Sequence, residues 1–205
     1  MPETAARTRP TVMAVWLIIA GAIGWFAAFE LTLERFRLLA DPDAAASCDF
    51  SVLFQCTANL NSPQGSVFGF ANPLLGLTGW VAPVVVGAGL LAGARFAKWF
   101  WAVFWLGLLF SFGFSIWLIG QSIFVLSTLC LWCMVTWAVV IPTFYVVTLH
   151  ALRIGVLPIP ARSRRVADRL MPWVPLATIV SYAAVILLAQ VRLNAIPNIL
   201  QTIFG

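Results

Sequence analysis

Charge is what this sequence has least of. Only 9% of its 205 residues are Asp, Glu, Lys or Arg while 62% are hydrophobic, and a chain of this size has no soluble core large enough to hide so much apolar surface. Histidine occurs once, at His150, and cysteine four times, so any metal or thiol chemistry must be built from very few side chains. No internal repeat and no low-complexity tract interrupts the chain, which excludes a solenoid or linker-rich architecture.

What the chain has instead is long apolar runs. Five of them, residues 12–29, 70–94, 99–119, 123–149 and 173–191, each come close to the ~20 residues that cross a ~30 Å hydrocarbon core as a helix. The fold class is therefore an all-α integral membrane protein. Arg7 and Arg9 before the first run raise the alternative of a cleaved signal peptide, but the run is long for that and lacks a small-x-small cleavage site, so it is read as a retained span. Arg7, Arg9, Arg95, Lys98, Arg153, Arg162, Arg164, Arg165 and Arg169 fall on one side of a five-span topology, and only Arg35, Arg37 and Arg192 on the other. By the positive-inside rule the first group is cytoplasmic. Glu30, Glu34, Asp41, Asp43 and Asp49 lie in the opposite compartment, so the basic balance reflects topology and calls for no nucleic-acid partner. The cluster 162–169 is placed to touch anionic lipid head groups.

Residues 1–10 form a cytoplasmic tail, and the first span delivers the chain to an external region at 30–70. Within it, 31–39 alternates charged and apolar residues at helical spacing and continues the first helix beyond the bilayer until Asp41-Pro42 stops it. Cys48 and Cys56 follow in a polar loop, and 66–70 is an apolar interfacial segment. Asn72-Pro73 opens the second span, with asparagine as candidate cap and proline at the first helical position. Gly76, Gly79, Pro83, Gly87 and Gly89 allow a kink or close helix approach within it. Tight turns at 95–98 and 120–122 make antiparallel neighbours and a compact bundle over 11–150. A basic cytoplasmic link, 151–172, carries Pro158, Pro160 and Pro172, and 173–205 supplies a fifth transmembrane helix with a short external tail.

The remaining signal is Cys130-Leu131-Trp132-Cys133, near the start of the fourth span. Thiols three residues apart meet on one helical face, a spacing that suits a redox pair and is also half of a common zinc motif. Three readings compete. Four cysteines can be small packed hydrophobes, but packing gives no reason for all four to collect on one side of the membrane. A four-thiolate zinc site is disfavoured because Cys48 and Cys56 are too far apart for the usual knuckle and His150 lies on the other side, so no metal is expected. Thiol–disulfide relay needs paired cysteines at each station, which is what the layout offers.

The arrangement resembles the vitamin K epoxide reductase (VKOR) family, specifically its bacterial quinone-dependent members. The resemblance covers most of the chain: the loop pair Cys48 and Cys56 after the first span, the stretch Ser66-Val67-Phe68-Gly69-Phe70-Ala71-Asn72-Pro73-Leu74-Leu75-Gly76-Leu77, and the Cys-x-x-Cys at 130–133. It implies a four-helix catalytic bundle around a quinone site plus the fifth helix. It further implies that Cys48 meets a thioredoxin-fold partner, Cys56 passes electrons to Cys130, and Cys133 faces the quinone, menaquinone or ubiquinone; the exchange of Cys48 and Cys56 is the alternative assignment. Asn72 matches a family asparagine that donates to a quinone carbonyl, and Ser62 matches a serine near the site. Trp137 stands where relatives often carry tyrosine, and its indole N–H is the substitute donor.

Many bacterial relatives carry a fused thioredoxin-like domain after the fifth span. This chain ends at Gly205, so the expected partner is a separate DsbA-like thioredoxin-fold protein outside the bacterial inner membrane, and the expected function is quinone-driven disulfide formation in exported proteins. Ser127 and Thr128 are candidate caps for a helix starting near Cys130. The competing class is a non-enzymatic membrane protein, a channel or assembly factor with a structural disulfide, which would bind no quinone. Almost no ionisable residue lies within a span, which argues against transport.

Overall fold

The computed structural model describes residues 11–157, 162–194 and 196–197. The expected tail 1–10, Pro158, Pro160 and the chain end at Gly205 lie outside them. The described helices are α1 (Thr11–Ala40), α2 (Cys56–Asn61), α3 (Pro73–Gly79), α4 (Val81–Leu91), α5 (Lys98–Gly120), α6 (Leu131–Arg153), α7 (Arg162–Leu170) and α8 (Val174–Leu193). Among the described residues there is no strand, only an isolated parallel bridge between Phe54 and Leu129. Five helical stretches are long and apolar enough to cross a membrane: Thr11–Ala40, Pro73–Leu91, Lys98–Leu126, Leu131–Arg153 and Arg165–Leu193.

Helix α1 organises the bundle. Its 30 residues span roughly 45 Å, more than a bilayer core needs, and it runs on to Ala40 before Asp41 and Pro42 break it. Its buried face carries Ala20, Gly21, Gly24, Ala27 and Ala28, small residues one to two turns apart that admit a neighbouring backbone. Helices α3 and α4 occupy that groove. A methyl at Gly24 would stand 2.3 Å from the Trp80 ring, and one at Gly87 would stand 2.6 Å from the carbonyl oxygen of Ala14. Gly76 is also tight, 2.7 Å from Ala28 Cβ, whereas Gly79 would meet nothing within 4 Å. Gly79 instead sits where the span breaks at Trp80, because Pro83 has no N–H to return to the Gly79 carbonyl.

Two boundaries differ from the expectation. The third span does not turn at 120–122; α5 continues through a π-helical turn, Gln121–Leu126, and the chain reverses over 127–129, with Ser127 in the left-handed region at φ 54°. The fourth span accordingly begins at Leu131 rather than Ile123. Gly120, Gln121 and Ser122 read as a solvent turn because they are polar or flexible, but their polarity faces the bundle interior. The turn between α4 and α5 takes residues 92–97, with Gly93 at φ 89°, a conformation that glycine adopts without strain.

Helix α6 packs against α1, α5 and α8. Pro142 inside α6 leaves the Ala138 carbonyl without its helical donor, and the Tyr182 hydroxyl of α8 donates to that oxygen instead. Tyr145 and Ser181 join the same two helices through a hydroxyl pair at 2.8 Å. Apart from the buried Val174, Thr178 and Ala189, much of α8 is outward-facing apolar surface, with Ile179, Val180, Ile186, Leu187 and Val191 exposed, as a lipid-facing helix requires. At the end of the bundle away from the cysteines, Met13, Leu17, Val86, Leu90, Trp101, Phe104 and Val147 form the apolar core.

Candidate redox site

The loop after α1 has no regular ladder, so its backbone amides are satisfied by side chains. Asp49 Oδ1 accepts from the amides of Cys56 at 2.6 Å and Thr57 at 3.1 Å, which are orphan donors of the first turn of α2. Thr57 returns the favour, its Oγ1 accepting from Ala46 N at 2.9 Å. Ser47 donates to Oε1 of Glu34 at 2.5 Å, and Arg37 bonds the same oxygen at 2.9 Å. Glu34 is a buried carboxylate on α1, and its two partners supply the pairing that a buried charge needs. Between these ties Cys48 and Cys56 form a disulfide with Cα atoms 5.8 Å apart.

The bridge then joins this loop to the start of α6. Leu129 N donates to Leu53 O at 2.8 Å, and Gln55 N donates to Leu129 O at 3.0 Å. The pairing is parallel, so Gln55, the residue before Cys56, lies level with Cys130. Cys56 and Cys130 are both fully buried in one cluster with Leu31, Leu38, Ala46, Cys48 and Leu60, and Cys133 packs against it. Asn59 secures the same junction: its Nδ2 donates to Gln55 O at 2.9 Å and to Thr128 Oγ1 at 3.1 Å, while Ser122 donates to its Oδ1 at 3.1 Å.

Cys130 is itself the N-cap of α6, in extended conformation, and its sulfur accepts from Cys133 N at 3.4 Å. Neither Ser127 nor Thr128 caps this helix. The thiols of Cys130 and Cys133 are free, the first buried and the second partly open. A helix amide aimed at sulfur stabilises the negative charge that sulfur carries when it attacks or leaves.

Cys133 opens onto a cavity of about 380 Å³ between α1, α3, α5 and α6, with Ser62, Asn72 and Trp137 also in its lining. Cys48, Cys56 and Cys130 do not line it. Its walls include Trp80, Pro83, Leu108, Phe110, Phe114 and Val140, and Ser62, Gln64, Asn72, Gln121, Ser122 and Thr136 are among its polar groups. That combination, apolar walls with a few fixed polar groups, fits a flat hydrophobic carbonyl compound such as a quinone. Asn72 holds the N-cap position of α3 but its side chain caps no amide there: its Nδ2 donates to Gln64 O at 2.6 Å and its Oδ1 accepts from Val67 N at 3.2 Å, leaving one N–H. Ser62 accepts from Gly65 N and donates to Asn59 O. The Trp137 indole bonds no described residue.

Sequence patterning assigns no site role to Asn59, Ser122, Gln64, Gln121 or Glu34. Their one common signal is a polar side chain inside or beside an apolar run, which by itself does not say what it bonds. Among the described residues no group of three or more His, Cys, Asp or Glu is placed to hold a metal ion.

The model of the Vitamin K epoxide reductase family matches residues 15–148, a span that contains all four cysteines and most of the cavity and ends before α7 and α8. No curated protein is detectably similar to the chain.

Proposed function

The chain belongs to the vitamin K epoxide reductase family, and from that membership we propose that this membrane thiol oxidoreductase moves electron pairs from a reduced thioredoxin-fold protein to a membrane quinone. The observation that supports the reading is the parallel bridge at Phe54 and Leu129, which ties the loop to the start of α6 so that Cys56 and Cys130 share one buried cluster while Cys133 opens onto the cavity. The partner is a DsbA-like thioredoxin-fold protein, and the net result is disulfide formation in exported proteins. The basic residues support an N-terminus in the cytoplasm of a bacterial cell and a cysteine end outside its inner membrane. Residues 11–150 form the catalytic bundle, since the cysteines and the cavity all lie within them, and the fifth helix is an accessory.

Each exchange conserves two electrons and two protons. A partner thiolate attacks the Cys48 sulfur, the Cys48–Cys56 bond breaks, and the partner's second thiol resolves the mixed disulfide, leaving the partner oxidised and the loop pair reduced. The Cys56 thiolate then attacks Cys130 of an oxidised helical pair, Cys133 leaves as thiolate, and Cys48 closes on Cys56. Bound in the cavity, a quinone supplies a two-electron, two-proton acceptor. Cys130 and Cys133 deliver both electrons there as they close to a disulfide. The free N–H of Asn72 and the indole N–H of Trp137 are two donors placed for a carbonyl oxygen, and the Ser62 hydroxyl fixes the loop around them. Menaquinone and ubiquinone both fit this chemistry.

The test is steady-state turnover in lipid nanodiscs with a reduced thioredoxin-fold dithiol and a short-chain quinone, followed by quinone absorbance. Turnover that needs all four cysteines supports the relay. A bound chain that consumes no quinone and keeps its loop disulfide in the presence of the dithiol would return the protein to the structural-disulfide class.

A further inference from the structure

The cavity lining holds a second pair of polar groups that the thiol relay does not use. Gln64 comes from the 3-10 turn Pro63–Ser66, and Gln121 opens the π-helical turn that extends α5. Both line the cavity. Nε2 of Gln64 donates to Oε1 of Gln121 at 3.2 Å. That leaves Oε1 of Gln64, which is buried and, among the described residues, is the one buried side-chain oxygen or nitrogen without a hydrogen-bond partner. Buried acceptors are rarely left so, and an unmet acceptor beside a ligand cavity marks the place of a donor that arrives with the ligand.

The chemistry of the amide adds a second property. The terminal torsion of glutamine is broad and close to two-fold, so both amides can turn over and keep a hydrogen bond between them, Gln121 then donating to Gln64. One orientation presents the oxygen of Gln64 at the free position, the other presents its NH₂. The backbone of Gln64 does not move in either case, because its carbonyl is held by Asn72 Nδ2 at 2.6 Å. A quinone carbonyl only accepts, whereas a quinol hydroxyl donates. We infer that Gln64 and Gln121 form a reversible amide pair that recognises both redox forms of the quinone head group, Gln64 donating to the carbonyl of the quinone and accepting from the hydroxyl of the quinol. This rests on the quinone reading above and deepens it: substrate and product leave the same site without either being held by an unmatched group.

The experiment uses the full chain in nanodiscs under two conditions in which no net reaction occurs, quinone titrated into protein with the helical pair oxidised and quinol into protein with that pair reduced. Binding is read from tryptophan fluorescence and from the carbonyl stretch of a labelled short-chain quinone. Gln64→Met keeps the side chain's length and removes its hydrogen bonding; both dissociation constants should rise about tenfold, and the carbonyl stretch should move toward its value in solvent. The double variant Gln64→Met/Gln121→Met should bind no more weakly than Gln64→Met alone, since the pair acts as a unit. Reduction of the loop disulfide by the partner dithiol, measured without quinone, should be unchanged in each variant, which reports that the bundle is folded. Affinities within twofold of wild type, or a loss confined to one redox form, overturn the amide pair while leaving quinone reduction intact. A wild-type chain that binds neither form overturns the quinone reading itself.

Discussion

The two cysteine pairs are held in opposite ways. Cys48 and Cys56 are eight residues apart on irregular backbone, and a carboxylate, two hydroxyls and a second carboxylate tie that backbone down through Asp49, Thr57, Ser47 and Glu34. Cys130 and Cys133 need no such scaffold, because the first turn of α6 sets their spacing and Cys130 serves as its own helix cap. Where secondary structure supplies geometry, side chains are free for chemistry; where it does not, each orphan amide takes a side chain out of circulation. The loop pair is therefore sensitive to substitutions that never touch sulfur, while the helical pair is sensitive mainly at the cysteines and at the bridge and Asn59 bonds that join it to the loop.

The largest effect expected is one that erases the difference. Replacing any of the four cysteines with alanine should abolish quinone-dependent oxidation of the dithiol partner with the protein still in the membrane, and trapping should resolve the order: Cys56 should cross-link to Cys130 in the Cys48→Ala/Cys133→Ala protein, as mass spectrometry after oxidation would reveal. Ready formation of a Cys48–Cys130 bond in the Cys56→Ala/Cys133→Ala protein, with none at Cys56, would exchange the two loop roles. A smaller effect should separate the pairs without touching either. Leu129→Pro removes the N–H that donates to Leu53 O and biases Thr128 toward extended backbone. Loop reduction by the partner should persist, while transfer from the loop to Cys130 should slow by about tenfold or more, the cost of one lost positioning bond at about 1.4 kcal/mol per tenfold. Stopped-flow measurement of the two half-reactions distinguishes this from general unfolding, which would slow both.

Asp49→Ala tests the scaffold itself. It strips the partners from Cys56 N and Thr57 N, and leaving such amides unmet costs about 1–3 kcal/mol. A lower melting temperature and faster proteolysis of the loop are expected, with the Cys130–Cys133 half-reaction unchanged. A stable Asp49→Ala loop would mean that the disulfide alone fixes this region.

Much of the architecture is legible in the residues. Five apolar runs correspond to five membrane-length helices, and Asp41-Pro42 ends α1 where turn chemistry says it should. Two kinds of feature are not legible. One is polarity aimed inward: Gly120-Gln121-Ser122 has the composition of a solvent turn, yet it continues a helix and its Gln121 and Ser122 line the cavity, because composition does not encode direction. The other is pairing across long separations. Gln64 meets Gln121 over 57 residues, Asn59 meets Thr128 over 69, and the Phe54 to Leu129 bridge consists of backbone bonds that any residue but proline would permit at Leu129. The Cys-x-x-Cys is visible because its geometry is local. What brings Cys56 to its side is not local, and the pattern of residues alone leaves it open.

The smallest effect concerns the turn that delivers Cys130 to the bridge. Ser127 stands at φ 54° and ψ 28°, a region where a side chain costs on the order of 1 kcal/mol and glycine costs little. Glycine would remove that strain, but it would also free the unfolded chain, which opposes the gain by a similar amount. Ser127→Gly should therefore shift stability by less than about 1 kcal/mol in either direction, with both half-reactions at wild-type rates. Ser127→Val keeps a side chain and adds a branch at Cβ that the left-handed region tolerates poorly, so it should lose about 1–2 kcal/mol and slow only the transfer to Cys130. If valine is tolerated as well as glycine, the turn is not what sets the register of the bridge, and the alignment of Cys56 with Cys130 rests on Asn59 and its bonds to Thr128 and Ser122.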